Sequence, residues 1–291
     1  MTDGTLNRRE LLATSLALGA LGTMANGMAA ESNAADLRVI DTNVSLFHWP
    51  FRRLPLDETV KLVAKLQSLG ITEAWASSFE GVLHRDISAV NSRLVDECRR
   101  YSELKPIGVI NPSLLGWQDD LRQCFDHYQM PGVRLFPNYH GYTLADDVFA
   151  ELLTMAAKAN RIVQIAQTLE DRRTQHPLVH VSDVDLTPLP DMMKKVPDVR
   201  VQVLNLRPGM NTVKLLQPMD RIFFDTARVD STDGLSAMSQ VVPGRLALGT
   251  HAPFLIPEAA LIRLSENPLR DESVLSILHQ TATRLTGTVR R

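Results

Sequence analysis

The residues able to do chemistry fall at the ends of short apolar runs. Asp41 closes Leu37-Arg38-Val39-Ile40, and Asn43 and Ser45 follow at alternate positions. Arg134 interrupts Val133-Arg134-Leu135-Phe136, with Asn138 and His140 just beyond. Gln167, Asn205 and Asp225 end later runs, and His251 follows Leu248-Gly249-Thr250. An imidazole at His251 could act as a general base near neutral pH or donate a hydrogen bond to a substrate carbonyl; as a plain loop histidine it would do neither. Asp41 could be a carboxylate base, could orient Arg134, or could be a buried structural acid. A mid-strand arginine is costly to bury unpaired, so Arg134 is expected to pair with Asp41 or Asp225, the alternative being a clamp on a substrate carboxylate. The amides Asn43, Gln167 and Asn205 could donate to a developing oxyanion. Asn138 and His140, with Trp49 and Tyr139 for shape, could wall a polar pocket.

Metal chemistry has less to work with. His48, His140, His176 and His251 sit on loops beyond strand ends, but no His-x-His or His-x-x-x-His pair exists. No cofactor is expected, and a divalent metal only through a non-standard site. The two cysteines, Cys98 and Cys124, have no zinc-type spacing; a bridge between them is possible, two inert thiols the simpler expectation.

The elements that must position these residues alternate regularly. Strands are expected at 37–44, 72–79, 104–111, 132–139, 161–169, 200–206, 221–227 and 245–250. A helical pattern follows each, the first being Val60, Val63, Leu66 and Leu69 stopped by Gly70. Eight strand–helix units in about 250 residues predict an α/β fold closed into a single (β/α)8 TIM barrel. A doubly wound open sheet is the structural rival, but no Gly-x-Gly-x-x-Gly follows the first strand. In such a barrel the chemistry sits at the C-terminal strand ends, where the candidate residues fall.

Several stretches resemble the amidohydrolase-related family of barrel hydrolases and decarboxylases. Gly132-Val133-Arg134-Leu135-Phe136-Pro137-Asn138-Tyr139 is similar to its fourth-strand signature. Leu248-Gly249-Thr250-His251-Ala252-Pro253-Phe254 resembles its Gly-Thr-Asp-x-Pro motif. The resemblance implies one or two divalent metals held by histidines from strands one, five and six and an aspartate from strand eight. At those positions stand Asn43 and Ser45, Ala166 or Gln167, Asn205, and His251. None is the usual ligand, which argues against the usual metal-activated water.

The remaining composition is ordinary: 291 residues, 44% hydrophobic, 22% charged, with 31 basic and 33 acidic residues and a net charge of −2. No block of like charge suggests nucleic acid. Residues 1–35 differ, since Arg8-Arg9-Glu10-Leu11-Leu12 opens a small-residue apolar stretch ending near Ala29 and Ala30. This looks like a twin-arginine export signal, which implies a periplasmic protein with no membrane span after cleavage. Residues 36–291 then form the barrel domain. The sequence points to a hydrolase acting on a small ester, lactone or amide, with His251 and Asp41 as acid–base groups. A non-catalytic periplasmic barrel binding a small molecule is the competing expectation, and either is compatible with an oligomer.

Overall fold

A computed structural model describes residues 38–207 and 209–287; the expected export signal lies outside them. The strands are β1 (Ile40–Leu46), β2 (Glu73–Ser78), β3 (Leu104–Pro106 and Gly108–Val109), β4 (Gly132–Leu135), β5 (Ile162–Ala166), β6 (Arg200–Leu204), β7 (Ile222–Asp225) and β8 (Leu246–Ala247). All neighbouring pairs run parallel and follow chain order. β3 is shorter than expected and interrupted, because Pro106 has no N–H to give to the ladder. Ile107 N bridges the gap by donating to Ala76 O at 2.8 Å.

The barrel closes between its first and last strands. Thr42 N donates to Leu248 O (2.8 Å), His251 N to Asn43 O (2.9 Å) and Ser45 N to Ala252 O (2.9 Å), and Val44 pairs with Ala252 in parallel sense. β8 is thus continued past Ala247 by the segment that carries His251.

Helices cover the outer face. Thr59–Ser68 turns Leu62, Val63 and Leu66 inward. Ile87–Cys98 starts at Asp86, whose carboxylate accepts from Ala89 N at 3.0 Å and satisfies one otherwise orphaned first-turn amide. Asp147–Lys158, Leu189–Lys195, Gly234–Val241 and Pro257–Glu266 pack likewise. The helices after β3 and at the C-terminal end of the described residues each contain a π-helical turn, at Gln123–His127 and Ser276–Gln280. Cys98 and Cys124 are buried free thiols. Burial pushes the Cys98 thiol up to about 12, so it is inert at neutral pH.

The apolar strand residues Val133, Ile165, Val201, Val203 and Phe224 join the main core cluster. The barrel interior also carries a polar layer. Arg134 Nε donates to Gln164 Oε1 (2.9 Å), Gln164 Nε2 to Gln202 Oε1 (2.8 Å), Gln202 Nε2 to Thr42 Oγ1 (2.7 Å), and Thr42 Oγ1 to Leu248 O (2.9 Å). Arg134, Gln164 and Gln202 are register partners on β4, β5 and β6, so the chain of donors runs straight across adjacent strands. A buried polar network is tolerable only when its members are satisfied, and these are.

Candidate active site

The polar layer corrects one expectation. Arg134 is wholly buried and forms no ion pair with Asp41 or Asp225. It donates instead to Val44 O (3.0 Å), Ser45 Oγ (3.3 Å) and Thr42 O (3.4 Å), as well as to Gln164. Burial lowers its pKa to about 10, while Asp225 and Asp41 pull it back up from a distance. With these donors committed inside the barrel, Arg134 braces β1 and is not a substrate clamp.

Above it lies a ring of strand-end side chains. Asp41 accepts from Thr250 Oγ1 (2.5 Å), Thr250 N (3.0 Å) and Asn43 N (3.0 Å). Burial raises its pKa and these donors oppose the rise. The carboxylate therefore fixes the turn before His251, a positioning role where an acid–base role was expected. Asn43 Nδ2 donates to both Asn205 Oδ1 (2.8 Å) and Asp225 Oδ2 (2.6 Å), Asn205 N to Asp225 Oδ1 (2.8 Å), and Asn205 Nδ2 to Thr168 O (2.8 Å). Both amide hydrogens of Asn43 are spent, so as the network stands Asn43 cannot serve a developing oxyanion. Burial raises Asp225 to about 6, against the pull of its Asn43 and Asn205 donors. Gly249 makes room for it: a Cβ there would lie 2.7 Å from Asp225 Cβ and 2.8 Å from its Oδ2.

His251 stands next to this ring, 1% exposed. Its φ is +56° and that of Asn205 +57°, left-handed values that cost a non-glycine residue about 1 kcal/mol or more and gather at functional sites. His251 Nε2 lies 2.8 Å from Leu169 O. A carbonyl only accepts, so Nε2 carries the proton and Nδ1 holds a lone pair. Nδ1 is buried and has no partner among the described residues. Burial, then the charge of Arg228, pushes the imidazole down to about 3, so it is neutral at physiological pH. Arg228 Nη2 donates to the same Leu169 O at 3.0 Å, which sets the guanidinium beside the imidazole.

An aromatic cap covers the ring. Phe254 stacks on His251 with centroids 5.1 Å apart, and Trp49 packs edge-on against Phe254 (5.0 Å), Phe51 (5.3 Å), Phe79 (5.4 Å) and Tyr139 (6.1 Å). Arg52 lies over the Phe254 ring and pairs with buried Glu170, tying the loop after β1 to the loop after β5. Trp49 Nε1 and Ser77 Oγ, like His251 Nδ1, are buried here without partners among the described residues.

The other expected residues lie elsewhere. Asn138 Nδ2 donates to Ser182 O and lines a separate cleft of about 440 Å³ with Tyr142, His180 and Asp183. His140 Nε2 is bound to Gly81 O at 3.0 Å, and burial lowers its pKa to about 4. Gln167 Oε1 accepts from Arg207 N at the rim (3.3 Å). His48 is exposed, and His176 stacks on Phe51 (5.5 Å), so the loop histidines do not converge. The sequence puts Arg228 at a strand end beside Asp225 but gives it no role, and it offers no sign of Leu169, which contributes only its carbonyl oxygen, for which no residue type is a signal.

No protein-family model and no curated protein matches this chain. Solved structures do. A 2,6-dihydroxybenzoate decarboxylase from Rhizobium superposes with TM-score 0.70 at 10% identity, covering 86% of this chain and 98% of its own. A 5-carboxyvanillate decarboxylase from Novosphingobium aromaticivorans gives 0.70 at 12% identity, covering 91% and 99%. A Staphylococcus aureus protein assigned as an amidohydrolase gives 0.66 at 10% identity, covering 86% and 100%.

The 5-carboxyvanillate decarboxylase structure contains manganese. The expectation of no cofactor is corrected by that finding, because barrels of this fold do carry a divalent ion. Against this chain's own residues the ion fits poorly. Asn43 presents its amide nitrogen, a donor, toward Asp225, and no group of three or more His, Cys, Asp or Glu able to hold a metal occurs among the described residues. No chemical step is therefore derived through a metal. At these identities the likeness establishes architecture alone: the chain has a TIM-barrel fold, shared with these decarboxylases and the amidohydrolase.

Proposed function

We propose that the chain is an amidohydrolase-like enzyme acting on a small ester, lactone or amide, with His251 at its reaction centre. The observation that carries this is the unpartnered Nδ1 lone pair of a neutral imidazole, held by Leu169 O at the catalytic end of a barrel. The buried imidazole is a weak base, so Nδ1 would orient an attacking water and take its proton only as the new O–C bond forms and the water becomes acidic, while Leu169 O holds the ring and Nε2 keeps its own proton. Phe254 and Trp49 would exclude bulk water.

The competing reading, a binding barrel without turnover, is favoured by the committed amide hydrogens of Asn43 and Asn205. Turnover of a panel of small esters, lactones, amides and carboxylic acids separates the two. Wild type should hydrolyse at least one ester, lactone or amide, and folded His251→Ala should not. Release of carbon dioxide from the acids with no hydrolysis would replace hydrolysis by decarboxylation, and binding without any product would leave the binding barrel. From residues 1–35 we also propose export to the periplasm, which fractionation of the native host would test by finding the mature chain there or in the cytoplasm. No helix among the described residues is long and apolar enough to cross a membrane.

A further inference from the structure

Arg228 is a half-buried cation with no carboxylate in direct contact among the described residues. Among the described residues its guanidinium makes one hydrogen bond, to Leu169 O, and no ion pair, and its Nε is buried with no partner. Arg207 is near enough to repel it, while Asp230, Asp171 and Asp225 attract it without bonding to it. The carboxylates around it are engaged elsewhere. Asp171 is gripped by Arg173 through two hydrogen bonds (3.0 and 3.2 Å) and reaches Arg207 only at 3.4 Å. Asp230 pairs with Arg263. Asp225 is taken by Asn43 and by Asn205 N. Arg134, the remaining cation near His251, is committed to carbonyl oxygens below. The corner between the ends of β6 and β7 thus holds a guanidinium with no directly bonded ionic partner among the described residues. Burying a guanidinium with one neutral acceptor is unfavourable unless something negative arrives.

We propose that Arg228, with Arg207 at its solvent side, is a binding site for the carboxylate of a small anionic ligand, seated beside His251. Arg207, with a side chain 40% exposed, gives the site an approach from solvent that leaves the aromatic cap in place. Planar guanidinium groups suit carboxylate oxygens, and a charged hydrogen bond in a partly desolvated corner is stronger than one in water. Leu169 O, accepting from both His251 and Arg228, fixes where the ligand's charge would lie relative to the imidazole. The ligand's orientation toward His251 rests on the proposed reaction centre; the anion site itself does not.

The test is titration calorimetry of the full chain with acetate and hexanoate, with acetamide and hexanamide as uncharged controls, at ionic strength held constant with chloride. Wild type is expected to bind the acids and not the amides. Arg228→Gln should weaken acid binding at least tenfold and Arg207→Gln a few fold. Equal binding of acid and amide, no binding of either acid, or unchanged affinity in Arg228→Gln would overturn the proposal. Should Arg228→Gln fail to fold, unchanged affinity in Arg207→Gln overturns it instead. Hydrolysis that depends on His251 with no carboxylate binding removes this site and leaves the reaction centre; carboxylate binding with no turnover does the reverse.

Discussion

Replacing Asp225 by Asn should change how stability depends on pH, and the structure sets the size. Asp225 is wholly buried, and burial raises it from an ordinary 3.8 to about 6. A carboxyl whose folded pKa lies above its unfolded one favours the fold while protonated. That stability is present in full below pH 3.8 and is lost as the pH rises through about 6. At about 1.4 kcal/mol for each pH unit of the gap, the loss is about 3 kcal/mol. Asn cannot titrate, so the variant lacks this slope. Its amide also meets Asn43 Nδ2 donor to donor unless Asn43 turns over, which lowers stability at all pH values. Urea unfolding of both proteins between pH 4 and 7 is the assay. Relative to the variant, wild type should lose about 2 kcal/mol across that range, part of the total having gone by pH 4. Parallel profiles would refute the placement of Asp225 as a buried carboxyl held by amides.

Three further substitutions test the packing around the site. Gly249→Ala puts a Cβ within 2.8 Å of the Asp225 carboxylate, an overpacking of about 1–3 kcal/mol that should lower Tm by roughly 4–8 °C; an unchanged Tm means that Asp225 is elsewhere. Arg134→Met strips the donor from Thr42 O, Val44 O and Gln164 Oε1 and removes a cation that favours ionised Asp41 and Asp225. Chemical denaturation at pH 7 should show a loss of about 3–5 kcal/mol, and a change under 1 kcal/mol contradicts the interior layer. Thr250→Val keeps the shape but removes the hydroxyl bound to Asp41 and to Ala252 N, for an expected loss of about 2 kcal/mol; a neutral effect in the same assay would show that Asp41 has another partner.

The fold was readable because its signal is local and repeated. Gly70 ends a helix with Leu62, Val63 and Leu66 facing inward, and each short apolar run precedes such a unit. Strand ends therefore named Asp41, Asn43, Asn205, Asp225 and His251 as neighbours. Their roles were not readable, because partners were chosen by geometry across the barrel. Asn43 and Asp225 are 182 residues apart, and two of the four hydrogen bonds of Arg134 go to backbone carbonyl oxygens, which every residue type supplies. The left-handed backbone at His251 leaves no mark in composition either. The sequence did hold one unused signal: Gly249, whose missing Cβ is what admits Asp225.

The proposed reaction centre depends on the tautomer of one ring. Long-range nitrogen–proton NMR of the histidine-labelled protein, with His251 assigned by its loss in His251→Gln, reads it directly. Between pH 5 and 8 the His251 signals should show a proton on Nε2 and a bare, lone-pair Nδ1, with no titration in that range. A proton on Nδ1 with a bare Nε2 would contradict the Leu169 contact and the reaction centre built on it, and a ring doubly protonated near neutral pH would contradict a neutral, buried imidazole.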